Sequence, residues 1–353
     1  MITFIASHSH TCTFTALRGE ILSPVVPETR AITYDDLFAA DTLKPATYVF
    51  TDMERLHPLE LRLAARFFRR LETMPGFRVF NDPARVKTRY ALLRALAEAG
   101  LNDFDAYCAD GVPRPGRFPV FLRIASDHAG PLGDLIHDQT ELDNRLRALE
   151  AEGIPLTGVL VVEFCGERNA DGLYEKLAFL KIGNRITLSA LLLGEHWSVK
   201  VVASGMRLVT PKIVRDQLEA IRADRYAENM RAAFDIAGIN YGRADVGICG
   251  GRFQVYEINT NPDIIASNQY ISDEHRESRQ IFRARFGSML RDIDVAEGGG
   301  AVPVNLGSLD VPSRRRREFA KATVRRRGGI RRIADAFRGS GSLLRSVMQR
   351  EPR

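Results

Sequence analysis

Between Tyr241 and Ile264 the chain reads YGRADVGICGGRFQVYEINTNPDI, which sets Asp245, Glu257 and Asn259 around two short apolar runs joined by Gly250-Gly251. Gly-Gly between such runs is a hairpin signal, so ADVGI and FQVYEI are predicted to be paired strands. Side chains alternate faces along a strand, which sends Glu257 and Asn259, two apart, to one side. Asp245 on the neighbouring strand can reach that side too. Two carboxylates and an amide oxygen on one face are costly to bury unless something positive sits among them. Donors that are all oxygen suit a hard cation such as Mg²⁺, brought in together with phosphates. The plain alternative is an exposed hairpin with solvated acids.

The elements that must hold this face alternate along the preceding chain. TYVFTD (Thr47–Asp52) reads as a strand, LELRLAARFFRRLE (Leu59–Glu72) as an amphipathic helix and FRVF (Phe77–Phe80) as a strand, a βαβ-like unit of an α/β layer. Asn81-Asp82-Pro83 is a natural turn, and KTRYALLRALAEAG after it a helix stopped by Gly100. Strands are predicted at FPVFLRI (Phe118–Ile124) and GVLVVEF (Gly158–Phe164), with the helix ELDNRLRALEAEG between them. LYEKLAFLKIGNRIT (Leu173–Thr187) reads as two strands turning at Gly183-Asn184, and one helix is predicted from about Pro211 to Ala237. No internal repeat is visible. Gly298–Gly300 opens a segment of low core content and marks a boundary.

In this order the residues resemble the ATP-grasp superfamily, over about Asn81 to Tyr270. GRADV, a dozen residues, then EINTNP is similar to the motif by which D-alanine–D-alanine ligases and glutathione-synthetase-like ligases hold two Mg²⁺ ions. The resemblance implies an ATP-grasp fold of α+β type over 81–297 after the α/β layer over 1–80, while composition marks 298–353 as an Arg-rich tail, expected to be disordered or amphipathic helical. It implies Asp245, Glu257 and Asn259 as metal ligands, Mg²⁺ with Mn²⁺ as the alternative, and Arg243 as the residue that steadies a tetrahedral or phosphorylated intermediate. Lys87 resembles the first nucleotide lysine, its alternative being a solvated helix lysine. Arg123 stands where the family usually has a lysine reaching the phosphates, a departure that keeps the charge and adds a forked donor. Ser126, His128 and Gly130 fall in the loop that would cover the phosphates, although His128 also reads as a surface histidine.

VVEFCG resembles the adenine hinge, with Glu163 and Phe164 at the hinge; the alternative is a buried strand ending in an exposed acid. Asp171 in NADG is placed to hold ribose hydroxyls or merely to make a turn. Lys176 and Lys181 are five apart and so face opposite sides of a regular strand, and Lys176 is the one expected to point inward. Trp197 and His196 are read as acceptor pocket or as core. The activity the resemblance implies is ATP-dependent ligation of a small-molecule or peptide carboxylate to an amine through an acyl phosphate.

Composition bounds the alternatives. The 353 residues are 45% apolar and 27% charged, ordinary for a globular protein. No apolar run is long enough to span a membrane, and the start has no secretory pattern. Cys12, Cys108, Cys165 and Cys249 form no CxxC pair, which suits reduced thiols in a cytoplasmic protein. The formal charge of +6 is uneven. Thirteen Arg and one Lys against three acids put +11 on Arg314–Arg353, leaving −5 on the rest. Ile330, Ile333 and Phe337, then Leu343, Leu344, Val347 and Met348, give this tail an apolar stripe with a basic face, suited to an anionic partner, nucleic acid or a membrane surface. Two readings compete with the ligase: a small-molecule kinase on the same fold, and a non-enzymatic protein that binds through its tail. The acceptor and the oligomeric state are left open.

Overall fold

The computed structural model describes residues 1–127, 130–199, 210–264, 270, 272–296, 298–304 and 306. The N-terminal layer is a parallel sheet of β1 (Ile2–Ala6), β2 (Thr29–Thr33), β4 (Thr47–Phe50) and β5 (Arg78–Phe80) in the order β2-β1-β4-β5. Every residue of β1 and β4 is buried, as their apolar runs require of strands covered on both faces. α1 (Tyr34–Ala39) and α2 (Pro58–Glu72) cover one face. α2 opens on a capping box between His57 and Glu60 and buries Leu63, Phe67, Phe68 and Leu71, each contributing about 1.5–3 kcal/mol.

Beyond α3 (Arg89–Glu98) come two antiparallel sheets. β6 (Ala106–Cys108), β7 (Val120–Ile124) and β8 (Val159–Glu163) pair in the order β6-β8-β7 and pack on α4 (Gln139–Ala151) through Leu142, Leu146 and Leu149. β9 (Tyr174–Ile182), β10 (Arg185–Gly194), β11 (Tyr241–Cys249) and β12 (Arg252–Asn259) pair in the order β10-β9-β11-β12. Leu177, Phe179, Ala244 and Val246 cover one face of this sheet with α3, α5 (Pro211–Arg222) and α6 (Arg231–Ala237). The hairpin turns on Gly250 and Gly251, at φ 57° and 74°, the positive values a two-residue hairpin loop demands. The fold is thus α/β in its first layer and α+β beyond it.

The single helix expected over 211–237 is instead α5, a 3₁₀ turn over Ala227–Met230 and α6. Asp224 and Tyr226 adopt positive φ there, and the Asp224 carboxylate accepts hydrogen bonds from Thr187 Oγ1 and Leu188 N, both at 2.8 Å. A tertiary anchor overrides helical propensity.

The units expected over 1–80 and 81–297 share one core. α7 (Asp273–Ile293) sends Phe282, Phe286, Met289 and Leu290 onto the open face of the first sheet, where Leu180, Ile182 and Tyr241 join Phe4. The first residues of the expected tail also belong to the fold. β13 (Val302–Pro303) pairs with β3 (Thr42–Leu43), and Val304 is 2% exposed. The tail's apolar stripe lies outside the described residues. Among the described residues no helix is long and apolar enough to cross a membrane.

Candidate functional site

A cavity lies between the two antiparallel sheets. One end is aromatic. Phe121 on β7 and Phe164 just past β8 both meet Trp197, with ring centroids 5.1 and 5.6 Å apart. Tyr174 at the head of β9 meets Phe164 edge-on, and Tyr256 on β12 donates its hydroxyl to the Cys165 carbonyl at 3.0 Å. Gly247 on β11 lets that ring lie down, since a Cβ there would overlap the phenol. Such walls suit a flat π-system with a polar edge.

The other end is charged. Asp245 and Glu257 stand opposite each other in the β11–β12 pairing, two residues along from Arg243 opposite Asn259. Lys176 Nζ is 2.9 Å from Asp245 Oδ2, and Arg243 Nε is 3.3 Å from Oδ1. Glu257 Oε2 accepts from Arg123 Nη2 at 3.1 Å and from Arg89 Nη2. Four cations therefore meet two carboxylates, and the surplus positive charge suits a polyanion. Burial lowers the Arg123 guanidinium from its ordinary pKa; neighbouring Arg89 adds to this while Glu257 opposes it. Burial also raises the Glu175 carboxyl on the cavity wall and pushes the Cys165 thiol, beside Cys249, up to about 12.

Among the sequence-predicted residues, Asp245, Glu257, Arg123, Lys176 and Arg243 come together, and Gly130 and Phe164 line the cavity. Lys181 faces the other side of β9 and pairs with Asp235 at 2.9 Å, as the strand parity requires. Asn259 lies at the second cavity, its Oδ1 accepting from Asn261 N at 2.8 Å. Lys87 is not at the aromatic cavity. It borders the smaller second one, which Glu257 also lines, with Met53, Leu61, Asn259 and Thr260.

Glu163 also lines the cavity and braces its wall. Its carboxylate is buried and accepts from Asp105 N, Tyr107 OH, Gly116 N and Arg117 N. The Glu163 and Phe164 N–H groups are bonded to Asp105 O and Pro119 O. Next along the chain, Cys165–Glu167 line the cavity. Ser126 is exposed and does not line the cavity, and Asp171 sits exposed on a turn closed by Asn169. Trp197 is a cavity wall, with His196 beside it accepting from Ser198 N at 3.1 Å. His128 lies outside the described residues.

Arg89 escaped the sequence reading. It is only 6% exposed, and Nη1 donates to the carbonyls of Ile124, Ala125 and Asp127 at 3.1, 2.7 and 2.8 Å, tying the end of β7 to Glu257. A signal existed. Arg89 opens a helix with no acid in its first turn, where the dipole disfavours a cation unless an anion is near.

Among the described residues no three His, Cys, Asp or Glu side chains gather as a metal site; the candidate set is two carboxylates and an amide oxygen. No protein-family model matches the chain, and no curated protein matches it. Solved structures to which it is similar include D-alanine–D-alanine ligase from Bacillus anthracis complexed with ATP, at 14% identity over 83% of this chain and 97% of that one, TM-score 0.45. A RimK domain ATP-grasp protein from Sphaerobacter thermophilus is similar at 15% identity, over 84% and 99%, TM-score 0.42. The ATP-grasp ligase PsnB, complexed with a phosphomimetic variant of its minimal precursor, Mg and ADP, is similar at 12% identity, over 82% and 96%, TM-score 0.47.

Proposed function

We propose that this chain is an ATP-grasp enzyme that uses Mg·ATP to activate a carboxylate and join it to an amine. One observation carries the reading: a single cavity runs from an aromatic end to a cation-rich end whose two carboxylates face each other on a hairpin. The base stacks among Phe121, Phe164, Trp197 and Tyr256, and the phosphates meet Arg89, Arg123, Lys176 and Arg243.

The oxygen donors of Asp245, Glu257 and Asn259 fit Mg²⁺ in kind. When bound, the metal would neutralise charge developing on the transferred phosphoryl group. Each carboxylate is already paired, so holding a metal there would require the guanidiniums and Lys176 to turn to arriving phosphates, which would couple the binding of metal and nucleotide. The carboxylate substrate sits at the second cavity, which shares Glu257 with the first, and Lys87 lies there rather than at the base. In sequence the nucleotide-binding unit remains 81–297, completing its core with 1–80.

ADP release by the full chain across a panel of small carboxylates and amino acids, with Mg²⁺ and with chelator, tests the reading. Metal-dependent ADP release coupled to an amide supports it. A phosphorylated product as the end point would favour the kinase, and no nucleotide turnover would remove both.

A further inference from the structure

The parallel sheet has its own ligand edge. In the order β2-β1-β4-β5 the chain leaves β1 toward one side and β4 toward the other, so the strand order reverses between them. In open α/β sheets ligands bind in the crevice outside the carboxyl ends of strands at such a switch point. Two residues bridge this crevice. His10 follows β1 and Asp52 follows β4, with His10 Nδ1 3.5 Å from Asp52 Oδ1.

Asp52 is held with unusual care. It is 1% exposed and adopts φ 55°, a left-handed conformation costly for a non-glycine residue. Its Oδ2 accepts from Ser7 N at 3.1 Å, Ser7 Oγ at 3.0 Å and Asn261 Nδ2 at 3.0 Å, and its own N–H donates to Thr260 Oγ1 at 3.0 Å. A carboxylate can only accept, so an imidazole that turns Nδ1–H to Asp52 would leave Nε2 as a base. The His10 side chain is 31% exposed, so solvent reaches the ring.

This pair is attached to the phosphate end of the proposed active site. Asn261 N donates to Asn259 Oδ1, Asn261 Nδ2 reaches Asp52, and Met53, Glu54, Asn259 and Thr260 border the second cavity beside it. Asn261 Oδ1 is buried and accepts no hydrogen bond among the described residues. A buried acceptor without a partner is costly, and an incoming amine N–H would satisfy it.

Resting on the ligase reading, we propose that His10, oriented by Asp52, is the general base for the amine, and that Asn261 Oδ1 accepts a second N–H of the same group. As the amine nitrogen forms its bond to the acyl carbon, the bond from that carbon to the phosphate oxygen breaks and phosphate leaves with the electron pair. Nε2 takes the proton the nitrogen loses, and Asp52 stabilises the imidazolium until the proton passes to phosphate or solvent.

Two measurements on the full chain test this. Imidazole nitrogen NMR, assigned with His10→Gln, is expected to show the Nδ1–H form of neutral His10, with its signals moved by Asp52→Asn. The Nε2–H form, or signals indifferent to Asp52→Asn, would overturn the proposal. His10→Gln is also expected to slow amide formation with an alkyl amine about a hundredfold or more. With hydroxylamine, which is largely uncharged near neutral pH, the loss should be several times smaller, and ADP-binding affinity should be unchanged. Equal losses with both nucleophiles indicate a structural role and overturn it, as does no loss. If the wild type shows no Mg·ATP turnover with any carboxylate, the ligase reading fails first and takes this assignment with it.

Discussion

Glu257→Gln keeps the side chain's shape and removes the one charge that Arg89 and Arg123 share. The three groups are 6%, 12% and 20% exposed, so the pairing is largely shielded from solvent. Breaking a buried ion pair costs about 3–5 kcal/mol. The lower end applies, because the Gln oxygen still accepts and Arg89 keeps three carbonyl partners. At about 2 °C per kcal/mol for a large chain, about 3 kcal/mol lowers the melting temperature by about 6 °C. Nucleotide phosphates can replace the lost acid as partners for both guanidiniums. Metal-free ATP should therefore stabilise Glu257→Gln more than it stabilises wild type, while Mg²⁺ adds less. Turnover should fall about a hundredfold or more with the loss of one electrostatic contact at the reacting phosphate. Scanning calorimetry with ATP plus chelator and with Mg·ATP, alongside ADP release, reads all three effects. A variant that melts and turns over like wild type would refute both the pairing and the ligand role.

Lys176→Met should lower turnover at least tenfold, whereas Lys181→Met should leave it within about twofold, because Lys181 faces the other side of β9 and the partner it would leave, Asp235, is 63% exposed and stays solvated. Trp197→Ala should weaken ADP binding about tenfold or more by titration calorimetry, from about 1–3 kcal/mol for stacking a base on an aromatic ring; unchanged affinity would move the base elsewhere. Truncation after Leu306 should leave melting temperature and turnover unchanged while removing binding to anionic vesicles. Truncation after Gly300 should destabilise by about 1.5–3 kcal/mol through loss of buried Val304, read as a lower denaturation midpoint.

The hairpin was legible because its information is local. Gly250-Gly251 dictates the turn and strand parity sends Lys176 away from Lys181, but the register from that turn would set Asp245 against Tyr256, and a bulge between Asp245 and Val246 brings Glu257 opposite instead. What escaped depends on contacts between distant segments. Glu163 looks like an exposed strand end until Asp105, Gly116 and Arg117 point their N–H groups at it. Lys87 and Arg89 are two residues apart on one helix start, and only packing shows which guanidinium or ammonium meets Glu257. The break before α6 follows from Asp224 bonding to β10, and α7 covers the first sheet although nearly two hundred residues separate it from β5. Neither pairing has a periodic signature. His10 and Asp52 likewise meet only once β1 and β4 lie side by side.

The measurement that tests the central claim most directly follows oxygen from substrate to product. A carboxylate drawn from the ADP-release panel is labelled with heavy oxygen in both positions and incubated with the full chain, Mg·ATP and an amine, and the products are read by mass spectrometry. Activation through an acyl phosphate should yield an amide that has lost one label and inorganic phosphate that has gained it. Unlabelled phosphate alongside amide would contradict the acyl-phosphate route, and label retained in a stable phosphorylated substrate would contradict ligation altogether.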